Sequence, residues 1–405
     1  MTTWPRALAA AAIVALLVAI SAPGPLPTRV SPGAAAPQLK RIAFLVESWY
    51  PASHADVIGS RFLEGYRLGG RTYPAPLGIA SVYTESPRAS DQTRTLAARY
   101  GFRVAASVAD ALLEDPRAAR PRLMVDGILI ATREDPPRSG ELPSPTPRLR
   151  LFREVLRILE QTGERVPVFI DKMLAANWAD AQTIVAEASR RGIPLMAGSV
   201  LPYTPFDRPV RTGKVDAAVA LTSAPYWAFA FHTAEFLQGF LEQRGTRETG
   251  IASIRDVGAS YPALPDRDRW GGRLFDALLG GEGRWGPARG QDPVVLLIQY
   301  VDGTRAVLAI LPRGATENEF LLGAQYPGGG TSTGGLQLQQ APFDHFSHLV
   351  HALAEFYRTG RPVVPVERAL LTTGIVLLGQ ASRDSGGRAI SSPGLAVTYQ
   401  VSPRP

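Results

Sequence analysis

From Leu39 onward the apolar positions of this chain follow two alternating rhythms. Short unbroken runs, "RIAFLV", "LGIASVY", "DGILIAT", "VPVFID" and "IPLMAGSV", have the length and β-branched content of strands buried on both faces. Between them, segments such as "DQTRTLAARYGF" and "ADAQTIVAEASRRG" repeat their apolar residues at helical spacing. Strand and helix in alternation predict an α/β fold, a Rossmann-like, doubly wound parallel sheet. The last of these helices is well specified. Ala181, Ile184, Val185 and Ala188 fall at i, i+3, i+4 and i+7, Asn177 caps the start, Gly192 ends it, and Pro194 blocks continuation. The rhythm breaks at "LPYTPFDRPVRTG", so a boundary is expected between Leu201 and Arg211, with one domain over residues 39–205 and another over 206–405.

In an open parallel sheet, ligands collect beyond the carboxyl ends of the strands, and "VPVFIDKMLAANWADAQ" puts Asp171 and Lys172 at such an end. Lys172 can hydrogen-bond a substrate hydroxyl or assist proton transfer there, or it can simply solvate the strand end. Its setting is unusual, because Lys40, Lys172 and Lys214 are the only lysines among 43 basic residues.

Composition narrows the chemistry. With 405 residues, 45% of them hydrophobic, the chain can bury one large or two medium cores. The net charge of +7 comes from arginines interleaved with acids, without a basic run, which argues against a nucleic-acid partner. Cysteine is absent, which excludes disulfides, thiolate metal sites and a cysteine nucleophile. At the N-terminus, Arg6 precedes the apolar run Ala7 to Ala22 and a Pro-rich spacer follows, so residues 1–38 read as an export signal to a periplasmic or extracellular location. Prolines after both candidate cleavage sites leave an uncleaved membrane anchor open.

The stretch "VPVFIDKMLAANWADAQTIVAEASRRGIPLMAGS" resembles the strand, (E/D)-K-P turn, helix and strand of the glucose-fructose oxidoreductase and inositol dehydrogenase (Gfo/Idh/MocA) family. The segments "FHTAEFLQGFLEQR", "YVDGTRAVLAIL" and residues 346–390 are similar to that family's substrate-domain helix, hairpin and closing helices. The resemblance implies that an α+β open-sheet domain follows the Rossmann-like one. It also implies an oxidoreductase that binds NAD or NADP and acts on a sugar or polyol, and it leaves a homo-oligomer open. On it, Lys172 matches the lysine at the reacting hydroxyl, with Met173 in place of the motif's proline. His232 matches the catalytic histidine, with Ala228 where an acid is expected, and Glu235 matches the acid three residues on.

The first turn departs from the pattern. A dinucleotide needs G-x-G-x-x-G after the first strand, and this chain has "ESWYPASHADVIG". Trp49 and Tyr50 replace glycines, and Pro51 lacks an amide donor. Ser53 caps a helix, with Asp56 three residues on and His54 in its first turn, an end that can hold a small anion. Glu85, after the second strand, is placed to accept a ribose hydroxyl. Aromatic Trp49, Tyr50, Tyr226 and Trp227 suit sugar rings. Two alternatives therefore stand beside the oxidoreductase: a cofactor-independent carbohydrate-active enzyme (lyase, hydrolase or isomerase), and a non-catalytic carbohydrate-binding protein. His345, His348 and His351 fan across the side of a helix opposite its apolar stripe, and no convergent metal ligands accompany them. "YPGGGTSTGG" lacks the G-K-[ST] ending of a phosphate cradle and reads as a hairpin loop.

Overall fold

The structure is a computed structural model that describes residues 39–133, 141–281, 292–312 and 319–401. The N-terminal run read as an export signal lies outside these residues. From Leu39 on, the chain forms one compact unit.

In chain order the elements are β1 (Arg41–Val46), α1 (His54–Glu64), the hairpin β2 (Tyr66–Leu68) and β3 (Arg71–Tyr73), β4 (Gly78–Thr84), α2 (Thr93–Tyr100), β5 (Arg103–Ala105), α3 (Val108–Leu112), β6 (Gly127–Ala131), α4 (Pro147–Thr162), β7 (Val168–Asp171), α5 (Trp178–Arg191) and β8 (Leu195–Gly198). Six of these strands pair in parallel in the order β5-β4-β1-β6-β7-β8. Counted along the sheet, that is the 3-2-1-4-5-6 arrangement of a Rossmann fold. The five apolar runs became β1, β4, β6, β7 and β8. Asn177 accepts from the Asp180 N–H and Gly192 closes α5 in the left-handed conformation, as the sequence predicts.

After the turn at residues 201–203 the chain enters a second sheet. The elements that follow are β9 (Ala217–Ser223), α6 (Tyr226–Leu241), the short β10 (Arg247–Glu248), β11 (Ile251–Asp256), α7 (Gly272–Leu278), β12 (Val294–Tyr300), β13 (Arg305–Leu311), β14 (Glu319–Gln325), β15 (Thr331–Gln337), α8 (Phe346–Thr359), α9 (Val366–Asp384) and β16 (Tyr399–Gln400), which pairs only with β10 among the described strands, and the second sheet has six strands. Its order is β11-β12-β13-β9-β14-β15, antiparallel except for the β13–β9 pair. The glycine-rich segment is the β14–β15 hairpin loop, closed by the Tyr326 N–H to the Gly330 carbonyl. The α/β and open-sheet architecture expected from the sequence is therefore present.

The last two long helices return to the first sheet. Helix α8 packs on α1, and the Tyr357 hydroxyl donates to the Ile128 carbonyl of β6 (2.8 Å). Helix α9 packs on α5, β8, α6 and β11, so it touches elements of both halves. Three non-glycine residues have positive φ among the described residues: Ala52 (63°), Lys172 (69°) and Phe343 (59°). Each such residue costs on the order of 1–3 kcal/mol.

Candidate functional site

The strand order reverses between β1 and β6, where the Glu47 N–H still bonds the Ala131 carbonyl. An open α/β sheet offers its ligand crevice at such a point. A chamber of about 600 Å³ lies there, floored by the ends of β1, β6 and β7 and walled by the first turns of α6. A second chamber of about 360 Å³ adjoins it, bounded by residues 338–346. Ala52, His54, Lys172, Ala228 and His232 line both. The three strained residues all line this cleft. Strain held at a ligand crevice is the pattern of a functional site.

Asp171 ends β7, buried, and its Oδ2 lies 2.7 Å from Nδ1 of His54. Burial alone would raise the Asp171 carboxyl. The contact with His54 and the Lys172 and Arg148 charges outweigh that effect and hold it below its ordinary range. Burial dominates at His54 and lowers it, despite the opposing pull of Asp171. At neutral pH the pair is a neutral imidazole and a carboxylate. The carboxylate 2.7 Å away favours the tautomer with the proton on Nδ1, although the N–H is not aligned for a hydrogen bond, and that tautomer leaves Nε2 as a free base.

Lys172 follows, its N–H donating to the Gly198 carbonyl (2.9 Å). Among the described residues its ammonium has no ion pair or hydrogen bond. His232, on α6, places Nδ1 2.8 Å from the Ser199 hydroxyl, with its ring 6.0 Å from that of His54. Burial first, then the Lys172 and His54 charges, lowers His232 well below the usual imidazole range. Lys172 and His232 thus stand together at the junction of the chambers, and His54 joins them. Tyr50 and Trp227 line the larger chamber, and Arg88 sits 4.5 Å over the Tyr50 ring.

Four expectations need correction. Trp49 does not face the cleft: it is fully buried, stacked between Phe44 and Phe102 at 5.8 and 6.1 Å, with Nε1 donating to Asp56. A Cβ on Gly59 would lie 2.3 Å from this indole, so the glycine in α1 exists to admit it. Tyr226 turns away from the cleft, its hydroxyl donating to the Val376 carbonyl of α9 (2.8 Å). Glu235 is a buried strap. Its carboxylate accepts from the Ser199 N–H (3.2 Å) and the Thr372 hydroxyl (2.7 Å), and burial pushes it up to about 6. Glu85 is outside both chambers, engaged by Arg150 in a side groove.

Sequence reasoning also missed Arg148, which is buried and donates to the Thr132 and Met173 carbonyls, tying the ends of β6 and β7 together. It missed His345, which is buried and lines the smaller chamber instead of fanning outward. Among the described residues no cluster of three or more potential ligands could hold a metal ion.

The β1–α1 loop does not fit a dinucleotide pyrophosphate. A cradle needs free amides, and here most of those along the turn are occupied from within, the His54 and Ala55 N–H groups of the first turn of α1 being left without such a partner among the described residues. The Trp49 N–H donates to Asp91 (2.7 Å), Tyr50 to the Ser53 hydroxyl (3.2 Å), Ala52 to Asp56 (2.9 Å), Ser53 to the Tyr50 carbonyl (3.0 Å) and Asp56 to the Ser53 hydroxyl (3.2 Å). Pro51 has none to offer, and the Asp56 carboxylate repels an anion. Ser53 is thus spent on its own turn.

No family model and no curated protein matches the sequence. Among solved structures, the chain is similar to GenD2 from gentamicin A biosynthesis in complex with NAD, at 16% identity and a TM-score of 0.58 over 90% of this chain and 99% of that one. It is also similar to an oxidoreductase from Agrobacterium radiobacter in complex with NAD+, L-tartaric acid and magnesium (12%, 0.55, 87% and 98%). A third likeness is to myo-inositol 2-dehydrogenase from Lactobacillus plantarum (13%, 0.54, 87% and 99%). The fold is that of Gfo/Idh/MocA-type oxidoreductases, borne by a strongly divergent sequence.

Proposed function

We propose that this protein is an enzyme acting on a sugar or polyol by proton transfer, on a scaffold shared with nicotinamide-dependent oxidoreductases. The supporting observation is the convergence of the His54–Asp171 pair, Lys172 and His232 at the junction of two chambers. With a sugar as substrate, His54 Nε2 takes a proton from the carbon beside its carbonyl. The electron pair moves onto the carbonyl oxygen, which the Lys172 ammonium holds by a charge-assisted hydrogen bond. His54, now carrying that proton, returns it to the neighbouring carbon of the enediolate, while neutral His232 relays the hydroxyl proton from one enediolate oxygen to the other, completing a redox-neutral isomerisation that regenerates both imidazoles. Asp171 keeps His54 in the reactive tautomer throughout.

A second reading, an NAD- or NADP-dependent oxidation of the same substrate class, is favoured by the two adjoining chambers and by the similar structures named with NAD. It requires the dinucleotide to be held away from the β1–α1 loop. Two measurements separate the readings. Incubation with hexoses and ketoses in D2O should exchange the substrate's α-hydrogen, with loss of exchange in His54→Gln. Calorimetry should give NAD and NADP dissociation constants above roughly 1 mM, equivalent to less than about 4 kcal/mol. Micromolar binding with dinucleotide reduction, and no exchange, would overturn the first reading in favour of the second.

A further inference from the structure

We propose that His345 is a ligand-contacting residue of the smaller chamber, its Nε2–H donating a hydrogen bond to an oxygen of an uncharged hydroxylated molecule seated there. This rests on the proposed action on a sugar or polyol, and it names the group that orients the substrate.

His345 is only 6% exposed, at the start of α8, and lines the smaller chamber. Among the described residues neither ring nitrogen has a hydrogen-bond partner, and Nδ1 is buried outright. A buried polar nitrogen without a partner is costly and calls for an explanation. An orphaned lone pair is tolerated better than an orphaned N–H, so the buried Nδ1 is the unprotonated nitrogen and Nε2 carries the hydrogen. That leaves a donor, and a ligand oxygen satisfies it.

The ring is held in place. Phe346 packs against it at 4.9 Å and Phe343 at 6.3 Å, the latter in its strained left-handed conformation. Beneath it Arg61 fastens the segment, donating to the Pro342 and Phe343 carbonyls (both 2.8 Å) and to the Ser347 hydroxyl (3.1 Å). Burial, then the Arg61, His54 and His348 charges, pushes His345 down to about 4 against the weaker pull of Asp344, so the ring stays uncharged through the physiological range.

The rest of the chamber matches an uncharged polyol. Phe229, Phe346 and Leu338 offer apolar faces for C–H groups, while the Gln339 and Gln340 amides and Lys172 offer polar ones. Among the described residues no carboxylate lines it to draw a cation. Lys172, the cation that lines it among the described residues, is the group assigned above to the reacting oxygen.

The test uses the full chain with myo-inositol and D-glucose as probes, followed by calorimetry. Wild type should bind at least one of them. His345→Phe, which keeps the ring and removes both nitrogens, should weaken that binding at least tenfold. His345→Gln, whose Nε2 reproduces the donor, should stay within about threefold of wild type. Equal binding by His345→Phe and wild type overturns the His345 assignment alone. Failure of wild type to bind either probe overturns the sugar or polyol reading and this inference with it. An independent check is the 15N spectrum of the free protein. It should show His345 as the neutral Nε2–H tautomer at pH 6, and an Nδ1–H tautomer would overturn the assignment whatever the probes do.

Discussion

The contact between Trp49 and Gly59 decides whether the β1–α1 loop is closed, and a double-mutant cycle can measure it. In an open helix position Gly→Ala gains about 1 kcal/mol from backbone propensity. Here the added Cβ would meet two indole carbons at 2.3 and 2.4 Å, and overpacking of that kind costs roughly 1–3 kcal/mol. Gly59→Ala should therefore lower stability by about 1 kcal/mol on balance. Trp49→Leu should cost on the order of 2–4 kcal/mol, somewhat less than the roughly 3–5 of full truncation to alanine. In the leucine background the clash is gone, so Gly59→Ala should raise stability by about 1 kcal/mol and also fill part of the void. The sign of one substitution thus reverses with the residue at position 49, a coupling of about 2 kcal/mol. Urea unfolding followed by far-UV circular dichroism on all four proteins reads it directly. If Gly59→Ala has the same effect in both backgrounds to within about 0.5 kcal/mol, the indole is not seated on the helix and the case for an occupied loop collapses.

Gly198→Ala should cost at least about 2 kcal/mol and weaken ligand binding, because φ is +131° and the new Cβ would lie 2.6 Å from Glu235 Oε2; a melt within about 0.5 kcal/mol of wild type would show that the strap is not built this way. Lys172→Gly should leave stability unchanged or raise it by up to about 1 kcal/mol, since it relieves a left-handed lysine, yet abolish turnover. Marked destabilisation would mean that the lysine stem is part of the core. The folded-state positions of His54, His232 and His345 all lie below the unfolded value of 6.5, so the unfolded chain binds more protons and stability should fall as pH drops from 6.5 toward 4. The slope is up to about 1.4 kcal/mol per pH unit for each histidine. Glu235, raised to about 6, opposes this between pH 4.5 and 6. Urea midpoints at pH 7 and 5 test the balance, and His345→Phe should flatten the difference.

The first sheet was readable because strands buried on both faces leave unbroken apolar runs, whereas β5, three residues long and only partly buried, leaves no such trace. Lys172 was found because a strand end fixes where it lies. Trp49 was misplaced because an aromatic residue in a loop does not disclose which side of the loop it takes. The one available signal was the unexplained Gly59, ten residues on, in the middle of a helix. Glu235, Gln238 and the C-capping Glu242 fall on one side of α6, as a solvated polar face would, but that side is turned inward. Gln238 bonds Glu248 and Tyr399, while Glu242 pairs with Arg368 of α9. Those partners are remote in sequence, so no local pattern separates such a seam from a solvated face. Arg148 was one arginine among many until its two carbonyls were visible.

The return of α8 and α9 to the first sheet has a consequence for the order in which the molecule can be made. Tyr357 reaches a carbonyl 229 positions earlier in the chain, and α9 is buried along most of its length between elements of both halves. A ribosome delivers the six parallel strands first and the helices that complete their packing last. Until about residue 380 has emerged, the strands lack part of their cover, and contacts of such long sequence separation close slowly. The chain should therefore remain loose for most of its synthesis and condense in one late step.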